Sequence, residues 1–150
     1  MSLEELLRDR SVRRIRPNHK LALDIIRRAR RDIDTAKTLV ANEKFDWSLA
    51  AAYNAMQLAG RGIMTSQRYR PSSTKGHVAV VKFLRTTLGT GMEDRMIMAM
   101  NGMRKKRHMV VYDEMDIVSK DEAKQALRWA EEFVNDMERT MRCARPSRGR

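Results

Sequence analysis

Apolar positions recur at spacings of three and four through most of this chain, the signature of helices that bury one face. Ile26, Ala29, Ile33, Ala36 and Val40 form one such stripe and predict a helix from about Asn18 to Asn42. Lys44-Phe45-Asp46-Trp47 makes the turn after it, with Asp46 as the expected cap of the next helix. That second helix, about Trp47 to Ser66, carries Leu49, Tyr53, Met56, Gly60 and Ile63 on its stripe. It is also rich in small residues, including Ala50, Ala51, Ala52, Ala55 and Ala59. Small residues let helices approach closely, which places this helix at the centre of a bundle.

A third, shorter helix is expected from about Lys75 to Leu88, capped by Ser72, Ser73 or Thr74 and closed by Gly89-Thr90-Gly91. The fourth runs from about Met92 to Val111. The fifth, about Lys120 to Met141, opens on a capping box of Ser119 and Glu122 and carries Ala126, Ala130, Phe133, Met137 and Met141. Ser2 and Glu5 form a second capping box, so Ser2 to Asp9 reads as a short helix. No segment alternates as a strand would. The expected fold is all-α: an antiparallel up-and-down four-helix bundle with an additional short N-terminal helix. Its expected divisions are a basic arm with the short helix over 1–17, the bundle over 18–141 and a basic disordered tail over 142–150.

Composition narrows the partners. The 150 residues suit one domain. A formal net charge of +12 favours a polyanion, and nucleic acid is the commonest one. No apolar run approaches the ~20 residues of a spanning helix, so no membrane association is expected. The first ten residues mix acids and bases with no apolar run, so no secretory leader is expected either. Cys143 is the single cysteine, and His19, His77 and His108 lack metal-ligand spacing. The chain therefore reads as reduced and cytoplasmic, with no metal and no other cofactor.

Candidate chemistry lies in Met100-Asn101-Gly102-Met103-Arg104-Lys105-Lys106-Arg107-His108-Met109-Val110-Val111-Tyr112-Asp113. The apolar phase of this helix runs Met96, Met100, Met103, then Val110 and Val111, and Arg107 falls on it. A guanidinium turned toward a core is costly unless something pairs it, so Arg107 stands out as functional. Arg104, His108 and Tyr112 follow one another by single turns on a neighbouring stripe. Asn54 is polar inside the apolar run of the second helix and is expected to bond a neighbouring helix or orient a site residue.

These elements together resemble the HEPN superfamily. The resemblance rests on Ala29-Arg30-Arg31-Asp32-Ile33-Asp34-Thr35-Ala36-Lys37, then Phe45-Asp46-Trp47 and Ala51-Ala52-Tyr53-Asn54-Ala55-Met56-Gln57-Leu58-Ala59. It continues through Arg68-Tyr69-Arg70-Pro71, Gly76-His77 and the segment Arg107 to Asp113, and spans about residues 20 to 135. It implies an antiparallel bundle, a homodimer, and binding of RNA or nucleotide. Many members are metal-independent RNases that use an Arg, four to six intervening residues and a His. Arg107 matches that Arg and His108 its polar neighbour, while Tyr112 stands where a His would fall.

Such cleavage needs a deprotonated 2′-hydroxyl, a protonated leaving oxygen and a stabilised phosphate charge. On this reading Arg107, His108 and Tyr112 are the catalytic candidates. Arg104, Lys105 and Lys106 bind phosphate, and Asn54 and Asp113 support them. The resemblance also implies a minimal nucleotidyltransferase acting as antitoxin partner. The alternative is a catalytically inactive helical adaptor in which Arg107 pairs with a carboxylate across a protein interface.

Overall fold

The computed structural model describes residues 2–72, 76–87 and 94–143. Among these are six helices and two short strands, in the order α1 (Leu3–Arg8), β1 (Val12–Arg14), α2 (His19–Ala41), α3 (Phe45–Ser66), β2 (Tyr69–Pro71), α4 (Gly76–Thr87), α5 (Asp94–Tyr112) and α6 (Lys120–Cys143). The fold is an all-α helical bundle.

The stripes do what their spacing requires. Ala22, Ile26, Ala29, Ile33 and Ala36 are the buried residues of α2. Asn18 caps that helix, its side chain accepting from the Leu21 amide at 2.9 Å. The C-terminal end closes on Glu43 in the left-handed region (φ 59°). There the Lys44 amide donates to the Leu39 carbonyl and the Glu43 amide to the Val40 carbonyl, a Schellman closure. Three residues then connect α2 to α3, so the two lie antiparallel. The direction of α6 follows from its ion pairs with α2. Arg30 meets Glu138 at 2.6 Å and Lys37 meets Glu131 at 3.5 Å, so partner numbers fall along α6 as they rise along α2.

Helix α3 is central, as its small residues predict. Fourteen of its 22 residues are buried, including Tyr53, Met56, Ile63 and Met64. Gly60 sits where α4 crosses: a Cβ there would lie 2.5 Å from Val80 Cγ1. The Ser119–Glu122 box at the start of α6 is reciprocal, each backbone amide donating to the other's side chain.

Several expectations need correcting. Asp46 does not cap α3; the cap position is Lys44, which supplies no side-chain bond. The Asp46 carboxylate instead accepts from the amides of Asp116 (2.6 Å) and Val118 (2.9 Å), tying the α5–α6 connection to the start of α3. The strands were not expected. β1 and β2 pair antiparallel, Val12 opposite Pro71, Arg13 opposite Arg70 and Arg14 opposite Tyr69. Three residues are too few to display alternation, so nothing local announces them. The N-terminal arm is docked, with Leu6 and Val12 inside the common core. Arg142 belongs to α6, bonded to Glu138. The caps Ser73 and Thr74, the turn Gly89-Thr90-Gly91 and the tail after Cys143 lie outside the described residues.

Candidate functional site

Tyr53 and Gln57 lie one turn apart on α3, and both are buried. Their polar ends meet the first turn of α4. The Tyr53 hydroxyl is 2.8 Å from His77 Nδ1 and 3.2 Å from Gln57 Oε1. Gln57 Nε2 donates to the Gly76 carbonyl at 3.3 Å. These bonds assign the protons. With Nε2 donating to a carbonyl, Gln57 presents its oxygen to Tyr53, whose one proton goes there. His77 then donates from Nδ1–H to the phenol oxygen, which leaves Nε2 as the basic nitrogen. The two rings stack with centroids 5.6 Å apart, and His77 keeps an exposed side.

Helix α5 brings two cations to this group. Arg104 and Arg107 are three residues apart, on one face, and both are half-buried. The Arg107 guanidinium lies over the Tyr53 ring, 6.0 Å from its centroid. The Nε atoms of both arginines are buried without a hydrogen-bond partner. No carboxylate among the described residues is within ion-pairing distance of either. Four arginines elsewhere do find carboxylates: Arg27 with Asp24, Arg30 and Arg142 with Glu138, and Arg139 with Asp136.

The electrostatics follow. Burial pushes the Tyr53 phenol up to about 12, against the pull of Arg104 and Arg107, so it stays a neutral donor. Burial also lowers the His77 pKa, and Arg107, Arg61 and Arg104 lower it further. His77 is therefore held neutral beside a concentration of positive charge. The arrangement suits an anion between the guanidiniums with a proton acceptor alongside.

The expected site residues divide. Arg107 lies over Tyr53, and Arg104, one turn away on the same face, is near enough to act on its phenol. His108 and Tyr112 lie on the exposed edge of α5, rings 4.8 Å apart and tilted, with Tyr112 70% exposed. Lys106 does not join the arginines; it turns toward α6 and pairs with Glu122 at 3.3 Å. Lys105 and Asp113 are exposed. Asn54 is half-buried, and among the described residues no hydrogen bond joins it to another helix. Tyr53, Gln57 and His77 fall within the segments that carry the resemblance, but the sequence reading gives them no role in a site. The available signal was a phenol and an amide one turn apart inside an apolar helix. Among the described residues no group of three His, Cys, Asp or Glu side chains is placed to hold a metal ion. None of their helices is long and apolar enough to cross a membrane.

Comparison with known proteins gives one family. The model for the HEPN domain matches residues 22–140, from the first buried alanine of α2 to near the end of α6. No curated protein matches the chain.

Proposed function

The chain belongs to the HEPN domain family, and from that premise we propose that it binds RNA by a backbone phosphate held between Arg104 and Arg107, and cleaves beside that phosphate without a metal ion. The observation that carries this reading is the pair of half-buried guanidiniums whose Nε atoms have no partner. A buried cation is costly unless paired, and an entering phosphate supplies the missing acceptors in bidentate form.

The chemistry assigns roles to the neighbours. His77 takes the proton of the 2′-hydroxyl on Nε2, and the oxygen attacks the adjacent phosphorus as the bond to the 5′-oxygen breaks. Arg104 and Arg107 stabilise the charge on the non-bridging oxygens. The departing 5′-oxygen takes a proton from His108, one turn along α5 from Arg104. The products are a 2′,3′-cyclic phosphate and a free 5′-hydroxyl. Tyr53 and Gln57 position His77 and touch no substrate.

A second reading is a catalytically silent adaptor. It is favoured by the exposed Met98, Tyr112 and Met115 on and just beyond α5, which suit a second copy of the chain or a nucleotidyltransferase of toxin–antitoxin type. One experiment separates the two. RNA cleavage is measured in EDTA for the wild type and for Arg107→Ala, His77→Ala and His108→Ala, each confirmed as folded by circular dichroism. The enzyme reading expects activity in the wild type and its loss in all three variants. A wild type that binds RNA through Arg107 but never cleaves leaves binding alone. Binding and cleavage both indifferent to Arg107→Ala would end the proposal.

A further inference from the structure

A second basic surface lies along α3 beyond Gln57. A groove of about 400 Å³ runs between the β1–β2 sheet and the α2–α3 pair, and Arg16, Arg28, Arg61 and Arg70 stand around it. No acidic residue lines it. None of these four arginines is ion-paired among the described residues. The two-stranded sheet adds to the concentration of charge. Its register sets Arg13 directly opposite Arg70, a like-charge cross-strand pair that a sheet ordinarily avoids.

The rest of the lining is mostly apolar, with Asn18 and Thr65 as its polar members. Ile15, Leu21, Ile25, Leu58 and Pro71 contribute to the groove between the arginines. A guanidinium rim over an apolar floor matches a ligand that alternates phosphates with flat, weakly polar rings. A single-stranded nucleic acid is such a ligand, because its bases are free to lie on the floor while its phosphates meet the rim. A duplex has its bases stacked inside and would leave the floor uncovered. Arg61 links this surface to the first site. It lines the groove from α3, one turn beyond Gln57, and is near enough to His77 to help hold that imidazole neutral.

We propose that the Arg16–Arg28–Arg61–Arg70 groove is an extended binding track for single-stranded RNA, leading over Arg61 to the phosphate held by Arg104 and Arg107. The track deepens the function proposed above and rests on that reading for its far end. It makes affinity depend on oligomer length, since a strand of several nucleotides occupies both surfaces and a dinucleotide only one.

The test is fluorescence anisotropy with labelled RNA from two to twelve nucleotides, a twelve-base-pair RNA duplex and a mononucleotide. It compares wild type, Arg28→Gln/Arg70→Gln and Arg107→Gln, with thermal melts confirming each fold. The expected result for Arg28→Gln/Arg70→Gln is a loss that grows with length, from at most about twofold for the dinucleotide to more than tenfold for the dodecamer. Its log–log salt slope should fall by about 1.4, the value for two lost phosphate contacts on a single strand. Unchanged dodecamer affinity in that variant overturns the track. So does a duplex that outcompetes the single strand, or a mononucleotide that binds as tightly as the dodecamer. Dodecamer binding that is sensitive to Arg28 and Arg70 but not to Arg107 keeps the track and removes the Arg104–Arg107 site, so the two failures are distinguishable.

Discussion

The Tyr53 hydroxyl and His77 Nδ1 are 2.8 Å apart, and this contact joins the most buried helix of the bundle to an imidazole with an open side. Tyr53→Phe removes the acceptor for Nδ1–H and the donor to Gln57 Oε1, both at once. The expected cost is about 1–2 kcal/mol, because a buried amide oxygen loses its partner. The imidazole should also lose its tautomer preference. Urea denaturation gives the first quantity and ¹⁵N chemical shifts of the His77 ring the second. A ring that keeps Nδ1 protonated in the variant contradicts the proton assignment.

Stability should depend on pH through His77. Its folded-state pKa lies below the unfolded value, which is near ~6.5. The unfolded chain therefore binds the proton first, and the contribution of His77 is fully present above that value and lost as pH falls below it. Between pH 7.5 and 5.5 the wild type should lose stability more steeply than His77→Gln. Glu122 and Glu138 are also lowered, from 4.5, and act below this window. Equal slopes in the two proteins would contradict the lowered pKa. Saturating phosphate or nucleotide should raise the His77 pKa, since it neutralises Arg104 and Arg107, and a histidine NMR titration reads this directly.

Two helix glycines should respond oppositely to alanine. At Gly60 the added Cβ meets Val80 Cγ1, on a stiff β-branched side chain, so Gly60→Ala should destabilise by about 1–3 kcal/mol. At Gly102 nothing lies within 4 Å of the added atom. Gly102→Ala therefore gains helix propensity without a clash, about 0.5–1 kcal/mol, or roughly 2 °C in Tm. Thermal melts of both variants check the pair, and a destabilised Gly102→Ala would show that α5 is held differently.

Glu43 adopts φ 59° at the end of α2, where a Cβ is strained. Glu43→Gly should stabilise by roughly 0.5–1 kcal/mol, with both closing amide bonds kept. A loss of stability in chemical denaturation would mean that the Glu43 side chain contributes more than its backbone costs.

Asp46 holds two amides of the connection between α5 and α6. Asp46→Ala should cost about 1–2 kcal/mol and speed hydrogen exchange at Asp116 and Val118. Exchange confined to the α3 N-terminus instead would restore Asp46 as a cap.

The long helices were legible because burial on one side of a helix leaves a periodic mark. The α2 stripe, the crowded alanines of α3 and the reciprocal Ser119–Glu122 box each encode their structure within a few neighbouring residues. Arg107 was legible for the same reason, as a cation on an apolar phase. The sequence by itself thus determined the helices, the central place of α3, the excess of positive charge and one arm of the candidate site. It misled at Asp46, whose short side chain fits a cap equally well but bonds amides 70 and 72 residues away. It was silent on β1 and β2, which exist only because each supplies the other's hydrogen bonds. Tertiary structure alone decided that Arg104 and Arg107 would face Tyr53 and His77, that Lys106 would turn to Glu122, and that four arginines from the β1–α2 connection, α2, α3 and β2 would share one groove. Those relationships join residues from separate elements, and a spacing rule reaches only as far as the helix or strand that carries it.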